Sequence, residues 1–169
     1  MIALLFCLLQ DVASGPKVGD MVAKLPVLAV TGLIEDKEAD YVAERKDAQT
    51  IYVFIQRAKW ERPMARFLRE LDTAVAKRND VTHVCVVFLT DDPKAVREYL
   101  PKAQQSLQFE HTSLGVYDGD TGGPKGWGIN SDAHLTAVVA AKGKVVAVAG
   151  FNSVNETDVK SVLKSLKKD

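Results

Sequence analysis

The apolar positions of the chain follow two periods. Thr50-Ile51-Tyr52-Val53-Phe54-Ile55 is β-branched and aromatic without a break, and His83–Leu89, Leu135–Ala141 and Val145–Phe151 are similar apolar runs. Runs of this kind predict strands buried on both faces, in a parallel or mixed sheet covered by helices. Two shorter strands are predicted at Leu25–Val30, closed by Thr31-Gly32, and at Ser113–Tyr117. Elsewhere the spacing changes to three and four. Met64, Phe67, Leu68, Leu71, Ala74 and Val75 make one face of a helix over 62–78, which Asn79-Asp80 ends. Thr90-Asp91-Asp92-Pro93 is a second helix start, a capping residue with proline in the first turn. That helix runs to about 107, with Pro101 expected to kink or break it. A last helix starts near Asn155 and presents Val159, Val162, Leu163 and Leu166. Residues 36–46 read as an acidic, partly helical connection, 118–128 as a glycine-rich loop, and Lys142-Gly143 as the turn of a hairpin.

The resulting order, after the first short strand, is β-α-β-α-β-β-α. Strands separated by helices imply parallel, right-handed crossovers. The closing hairpin adds an antiparallel edge to a central mixed sheet, and a final helix packs after it. The fold class is α/β, a three-layer α/β/α sandwich.

Length and charge narrow the function. The 169 residues make one domain with room for a real core, and Lys+Arg and Asp+Glu balance at 22 each. That balance argues against a nucleic-acid partner. The chain opens on Met-Ile-Ala-Leu-Leu-Phe-Cys-Leu-Leu-Gln, followed by the small and polar Asp-Val-Ala-Ser-Gly-Pro. The apolar run is about half of the roughly 20 residues that cross a bilayer. Residues 1–14 therefore read as a secretory signal peptide, although the usual cationic start is missing. Residues 15–24 read as an incoming loop and 25–169 as the domain. A secreted or periplasmic protein, with no membrane contact in its mature form, is the expectation. Cys7 lies in the leader, and Phe6 before it is too bulky for a lipoprotein processing site. Cys85, within a strand, reads as a small core hydrophobe. With the leader removed, no internal disulfide can form.

The element order resembles the thioredoxin fold, and one segment carries the resemblance further. In thioredoxin-like proteins a buried strand leads through a loop to Trp-Cys-x-Pro-Cys at a helix start. Trp60-Glu61-Arg62-Pro63-Met64 has that frame, with Glu61 and Met64 in the two cysteine places. Gly126-Trp127-Gly128 and the later Leu135–Val146 stretch resemble the redoxin pattern of an aromatic-glycine turn, a cis-proline, a strand, a Lys-Gly-Lys turn and a second strand. Counted back from Gly143, the cis-proline place falls on His134. The chain is similar to redoxin domains of the peroxiredoxin type that lack the Cys-x-x-Cys pair, and to cysteine-less thioredoxin-domain proteins of planctomycete-type bacteria. The resemblance implies the fold over roughly 25–167 and, in the family, an extended-peptide groove beside the cis-proline, which this chain lacks. It also places His134 near Glu61.

The degenerate site is thus Trp60, Glu61, Arg62, Pro63, Met64 and His134. A thiolate at a helix start attacks disulfides because the dipole and free N–H groups lower its pKa. A second thiol then resolves the mixed disulfide. A carboxylate and a thioether can do neither, so no dithiol or peroxide chemistry is expected. Glu61 reads as a helix-capping acid before it reads as a general base, and Arg62 and Arg66 as solvated helix residues before anion ligands. Trp60 is balanced between a binding hot spot and packing on its own loop. Met64 is the first core residue of its helix. A Glu61–His134 acid–base pair is conceivable, with a structural contact preferred.

Asp118-Gly119-Asp120-Thr121-Gly122 starts like a calcium loop but lacks the later acidic ligands. His83, His111 and His134 lack metal-ligand spacing. No metal, no cofactor and no catalytic residue is expected. The first reading is a redox-inactive binding or scaffold module for another protein or peptide. The alternatives are a thiol-independent enzyme using Glu61 and His134, and, last, a redox protein acting through Cys85.

Overall fold

In the computed structural model, which describes residues 12–167, the apolar runs become the middle of a single seven-stranded sheet. The strands are β1 (Pro26–Thr31), β2 (Lys37–Asp40), β3 (Thr50–Gln56), β4 (His83–Leu89), β5 (Thr112–Tyr117), β6 (Leu135–Ala141) and β7 (Lys144–Phe151). Their spatial order is β2-β1-β5-β4-β3-β6-β7. β3, β4 and β5 are parallel neighbours, and β6 and β7 continue the sheet antiparallel from β3. The helices are α1 (Tyr41–Arg45), α2 (Arg62–Ala76), α3 (Pro93–Leu107) and α4 (Val159–Leu163). α2 links β3 to β4, and α3 links β4 to β5, as the alternating pattern requires.

The central strands are apolar on consecutive residues because both sheet faces are covered. Ile51, Val53 and Ile55, with Val84, Val86 and Phe88, pack under Met64, Phe67 and Leu71 of α2, Leu100 of α3 and Val162 of α4. The intervening Tyr52, Phe54, Cys85 and Val87 point to a second cluster with Leu25, Tyr41, Trp127 and Val138. The layers are unequal. Three helices cover one face, while α1 and the loops around Trp127 cover the other. Each fully buried Val, Leu, Ile or Phe contributes about 1.5–3 kcal/mol of transfer free energy.

Two sequence expectations are corrected. Residues 36–46 are not simply a partly helical connection: Lys37–Asp40 pairs antiparallel with β1 as the edge strand β2, followed by the single-turn α1. A charged four-residue strand carries almost no propensity signal, and only its partner makes it a strand. Pro101 does not break α3, which is one helix from Pro93 to Leu107. The ring is on the exposed side, and the surrounding turns hold through Val96, Leu100 and Ala103 in the core. The last helix does start at Asn155, as expected: a 3-10 turn, Glu156–Asp158, under an Asn155 capping box leads into α4.

Candidate functional site

The Trp60–Met64 turn sits at the carboxyl end of β3. Buried Gln56 closes the strand, and its Nε2 donates to Thr121 O at 2.7 Å, tying the glycine-rich loop to the site. Arg57–Lys59 forms a 3-10 turn, closed by Trp60 N–H donating to Arg57 O at 3.2 Å. Glu61 then takes the N-cap position of α2 in extended backbone, and its carbonyl accepts the first helical bond, from Ala65 N at 3.2 Å. Its carboxylate does not cap the helix: the side chain makes no capping hydrogen bond and is exposed. Pro63 stands in the first turn, where its missing N–H costs nothing.

Glu61 and Met64, which the sequence resemblance sets in the cysteine places, differ sharply in environment. Glu61 faces solvent, and Met64 is 0% exposed in the helix-side core. Trp60 is half-buried. Its ring meets Phe88 edge-on at 5.2 Å, and its Nε1 donates to Tyr99 Oη at 2.8 Å. Arg57 lies over the Tyr99 ring, 4.9 Å from its centre. Together Trp60, Arg62, Ala65, Tyr99, Ala103 and Leu107 line a shallow groove of about 290 Å³ between α2 and α3. Arg62 is exposed at its mouth, whereas Arg66 pairs with Glu156 at 3.1 Å across to the C-terminal turn.

His134 directly precedes β6. Its carbonyl accepts from Gln56 N at 3.1 Å, and its N–H donates to Phe151 O at 2.8 Å. The backbone of His134 is therefore fixed beside the end of β3. All peptide bonds among the described residues are trans, including the one into His134. No hydrogen bond or ion pair joins the Glu61 and His134 side chains among the described residues.

The other candidates lie elsewhere. Trp127 is 1% exposed, packs on Tyr52 at 5.2 Å and Phe54 at 4.9 Å, and donates Nε1 to Lys24 O at 2.9 Å. Gly126 and Gly128 flank it at φ +91 and +58, so the chain can turn on both sides of the buried ring. Asp120 is used locally, accepting Gly122 N at 2.8 Å. No group of three or more His, Cys, Asp or Glu that could hold a metal exists among the described residues. Cys85 is buried on β4, and burial pushes its thiol up to about 12. In native protein, maleimide is expected to leave Cys85 unlabelled, and to modify it fully in denaturant. Peptide mapping separates it from Cys7, and rapid native labelling would overturn the buried assignment.

Sequence reasoning missed Tyr99 and Arg57, because only the packing of α3 brings Tyr99 to Trp60. It also missed a larger open groove of about 880 Å³ between the start of α3 and the β1–β2 hairpin, lined by Leu28, Val116, Tyr117, Lys94 and Arg97. That groove shares no lining residue with the one beside Trp60, and Arg97 there is paired with Asp36 at 2.6 Å.

The domain has a thioredoxin-like fold, and its sequence carries no Cys-x-x-Cys motif. Among solved structures it is similar to a peroxiredoxin-like protein from Aquifex aeolicus, at 15% identity and TM-score 0.60, covering 92% of this chain and 91% of that one. It is also similar to a DsbF homologue from Corynebacterium diphtheriae, at 19% identity and TM-score 0.59, covering 93% and 98%. A third is the pneumococcal exposed lipoprotein thioredoxin of Streptococcus pneumoniae, at 16% identity and TM-score 0.55, covering 85% and 100%. At these identities the likeness is one of fold alone. No family model and no curated protein matches the chain.

Proposed function

We propose that the protein is a redox-inactive thioredoxin-like module that binds another protein or peptide at the Trp60–Met64 turn. The observation that carries this reading is chemical. The exposed place of the former dithiol holds the carboxylate of Glu61, and the inner place holds the buried thioether of Met64. Neither atom set can form a mixed disulfide. What remains usable is shape and charge. The groove beside Trp60 has an apolar floor, and its surroundings carry Arg57, Lys59 and Arg62 against Glu61 alone on the 57–62 turn. This favours an extended acidic segment with one apolar side chain. The acid–base alternative is less favoured, because Glu61 and His134 are not joined by a hydrogen bond.

Two measurements test the reading. In an insulin-reduction assay with dithiothreitol, the protein is expected to add nothing to the background rate; acceleration would end the redox-inactive assignment. Titration with an acidic peptide carrying a central leucine should shift the Trp60 indole N–H resonance. Trp60→Ala should weaken binding about tenfold, as about 1.4 kcal/mol of contact is lost. Loss of secondary structure in the variant would show by circular dichroism.

The same proposal places the domain outside the cytoplasm, with the apolar start of the chain as a secretory leader. Support comes from the short apolar run itself and from the exposed lipoprotein among the similar folds. Residues 1–11 lie outside the described residues. No helix among the described residues is long and apolar enough to cross a membrane.

A further inference from the structure

We propose that the helix-side face of the β1–β2 edge is a docking surface for a basic amphipathic helix of a partner protein. It lies on the other flank of α3 from the Trp60 groove and does not rest on the reading of that site.

The sheet is wider than its helix layer. On the helix side, Val116 of β5, Leu28 of β1 and Glu38 of β2 stand in register across three neighbouring strands. Val116 is 0% exposed, because α3 packs over β5 and β1. Leu28 is only half-buried and Glu38 is exposed, since no further helix follows α3 outward among the described residues. α1 comes next after β2, but it turns to the opposite face, where Tyr41 joins Tyr52 and Trp127. In an α/β/α sandwich a helix ordinarily covers the apolar positions of such a face.

The uncovered strip is the groove of about 880 Å³ beside Lys94 and Arg97. A second hollow, of about 480 Å³, continues it along α3 and shares those two residues. The floor is Pro26, Leu28 and Val30, alternate residues of β1 on one face. The wall is α3 from Pro93 to Pro101, about 12 Å or two turns of helix. A helix lying about 8–10 Å from α3 would set apolar anchors spaced i, i+4 and i+7 on that floor.

Charge selects the occupant. The carboxylates of Asp36, Glu38, Glu98 and Asp118 line the two hollows, against the cations Lys94 and Arg97. Asp36 and Arg97 neutralise each other at 2.6 Å. Glu38, Glu98 and Asp118 form no ion pair among the described residues. Pro101 strengthens the bias, because it has no N–H to give to the Arg97 carbonyl one turn before it. A rim of carboxylates and a carbonyl complements lysine and arginine. A second copy of this chain does not supply the helix. The apolar sides of α2, α3 and α4 are all spent in its own core.

The test titrates the full chain, isotopically labelled at its methyl groups, with a peptide of about 15 residues. The peptide carries leucine at i, i+3, i+4 and i+7 and lysine on the opposite side. Binding should shift the methyl resonances of Leu28, Val30 and Val116, and Trp60→Ala should leave the affinity unchanged. Glu38→Lys combined with Asp118→Lys, both exposed positions, should weaken binding about tenfold without altering the circular dichroism. Glutamate in place of the peptide's lysines should weaken it at least as much. Absence of shifts at the three methyl-bearing residues would overturn the proposal. So would equal affinity for the glutamate peptide, for a scrambled peptide of the same composition, or for the double variant. Equal affinity for a peptide with a central proline would mean an extended occupant and would also overturn it. A dimer in sedimentation that the double variant abolishes would assign the groove to a second copy instead.

Discussion

Asp72→Ala is expected to destabilise the domain by about 3 kcal/mol, lowering its melting temperature by roughly 6–12 °C. Asp72 is 6% exposed on α2. Its Oδ1 accepts His111 N–H at 2.9 Å and Thr112 Oγ1–H at 2.6 Å, and its Oδ2 accepts Glu110 N–H at 3.1 Å. One carboxylate therefore organises the chain as it leaves α3 and enters β5. Removing it orphans three donors at once, the costly side of hydrogen-bond energetics. Asp72→Asn keeps one good acceptor but turns an N–H toward a donor, so about half of the loss should remain. Urea unfolding of the two variants checks both figures; a loss under about 1 kcal/mol for alanine would contradict the role described.

Acid should weaken the fold through His83. This side chain is 6% exposed, with Nε2 at 2.8 Å from Ser113 Oγ. Burial, with smaller contributions from the nearby Arg45 and His111 and against the opposing Asp72, holds its pKa down at about 4. The ordinary value is about 6.5. The unfolded chain therefore binds a proton that the folded chain refuses between those two values. Stability is fully present above the unfolded value and is lost as pH falls toward about 4. From about pH 7 to about pH 4.5 this one group should remove roughly 2–3 kcal/mol. Ser113 Oγ also accepts Leu33 N–H at 3.0 Å, so a charged His83 would disturb the β1–β2 loop as well. Urea unfolding at both pH values, for the wild type and His83→Gln, isolates the effect as the difference between the two slopes. Equal slopes would remove His83 from the account.

Part of the candidate site was readable from local chemistry. A buried strand, a short polar loop and proline in a helix's first turn form a signal within residues 50–68, so the Trp60–Met64 frame could be found without coordinates. The burial of Met64 followed from its place on the helix face, at 0% exposure. The detail of each side chain did not follow. Whether Glu61 caps α2 depends on a side-chain torsion, and the carboxylate points away into solvent. Trp60 was undecided because its partners, Phe88 and Tyr99, arrive from β4 and α3.

By itself the sequence determined the sheet's central strands, the two long helices and the absence of a Cys-x-x-Cys pair. Each of these follows from hydrophobic period or residue identity, which act over a few neighbours. Only the tertiary structure decided that Lys37–Asp40 is a strand, that α3 passes through Pro101 and that Ser14 lies within the fold. Those outcomes depend on partners far along the chain: β1 for β2, the helix-side core for α3, and Thr136 for Ser14. A polar or proline-bearing segment takes its structure from what it packs against, and that information is absent from its own residues.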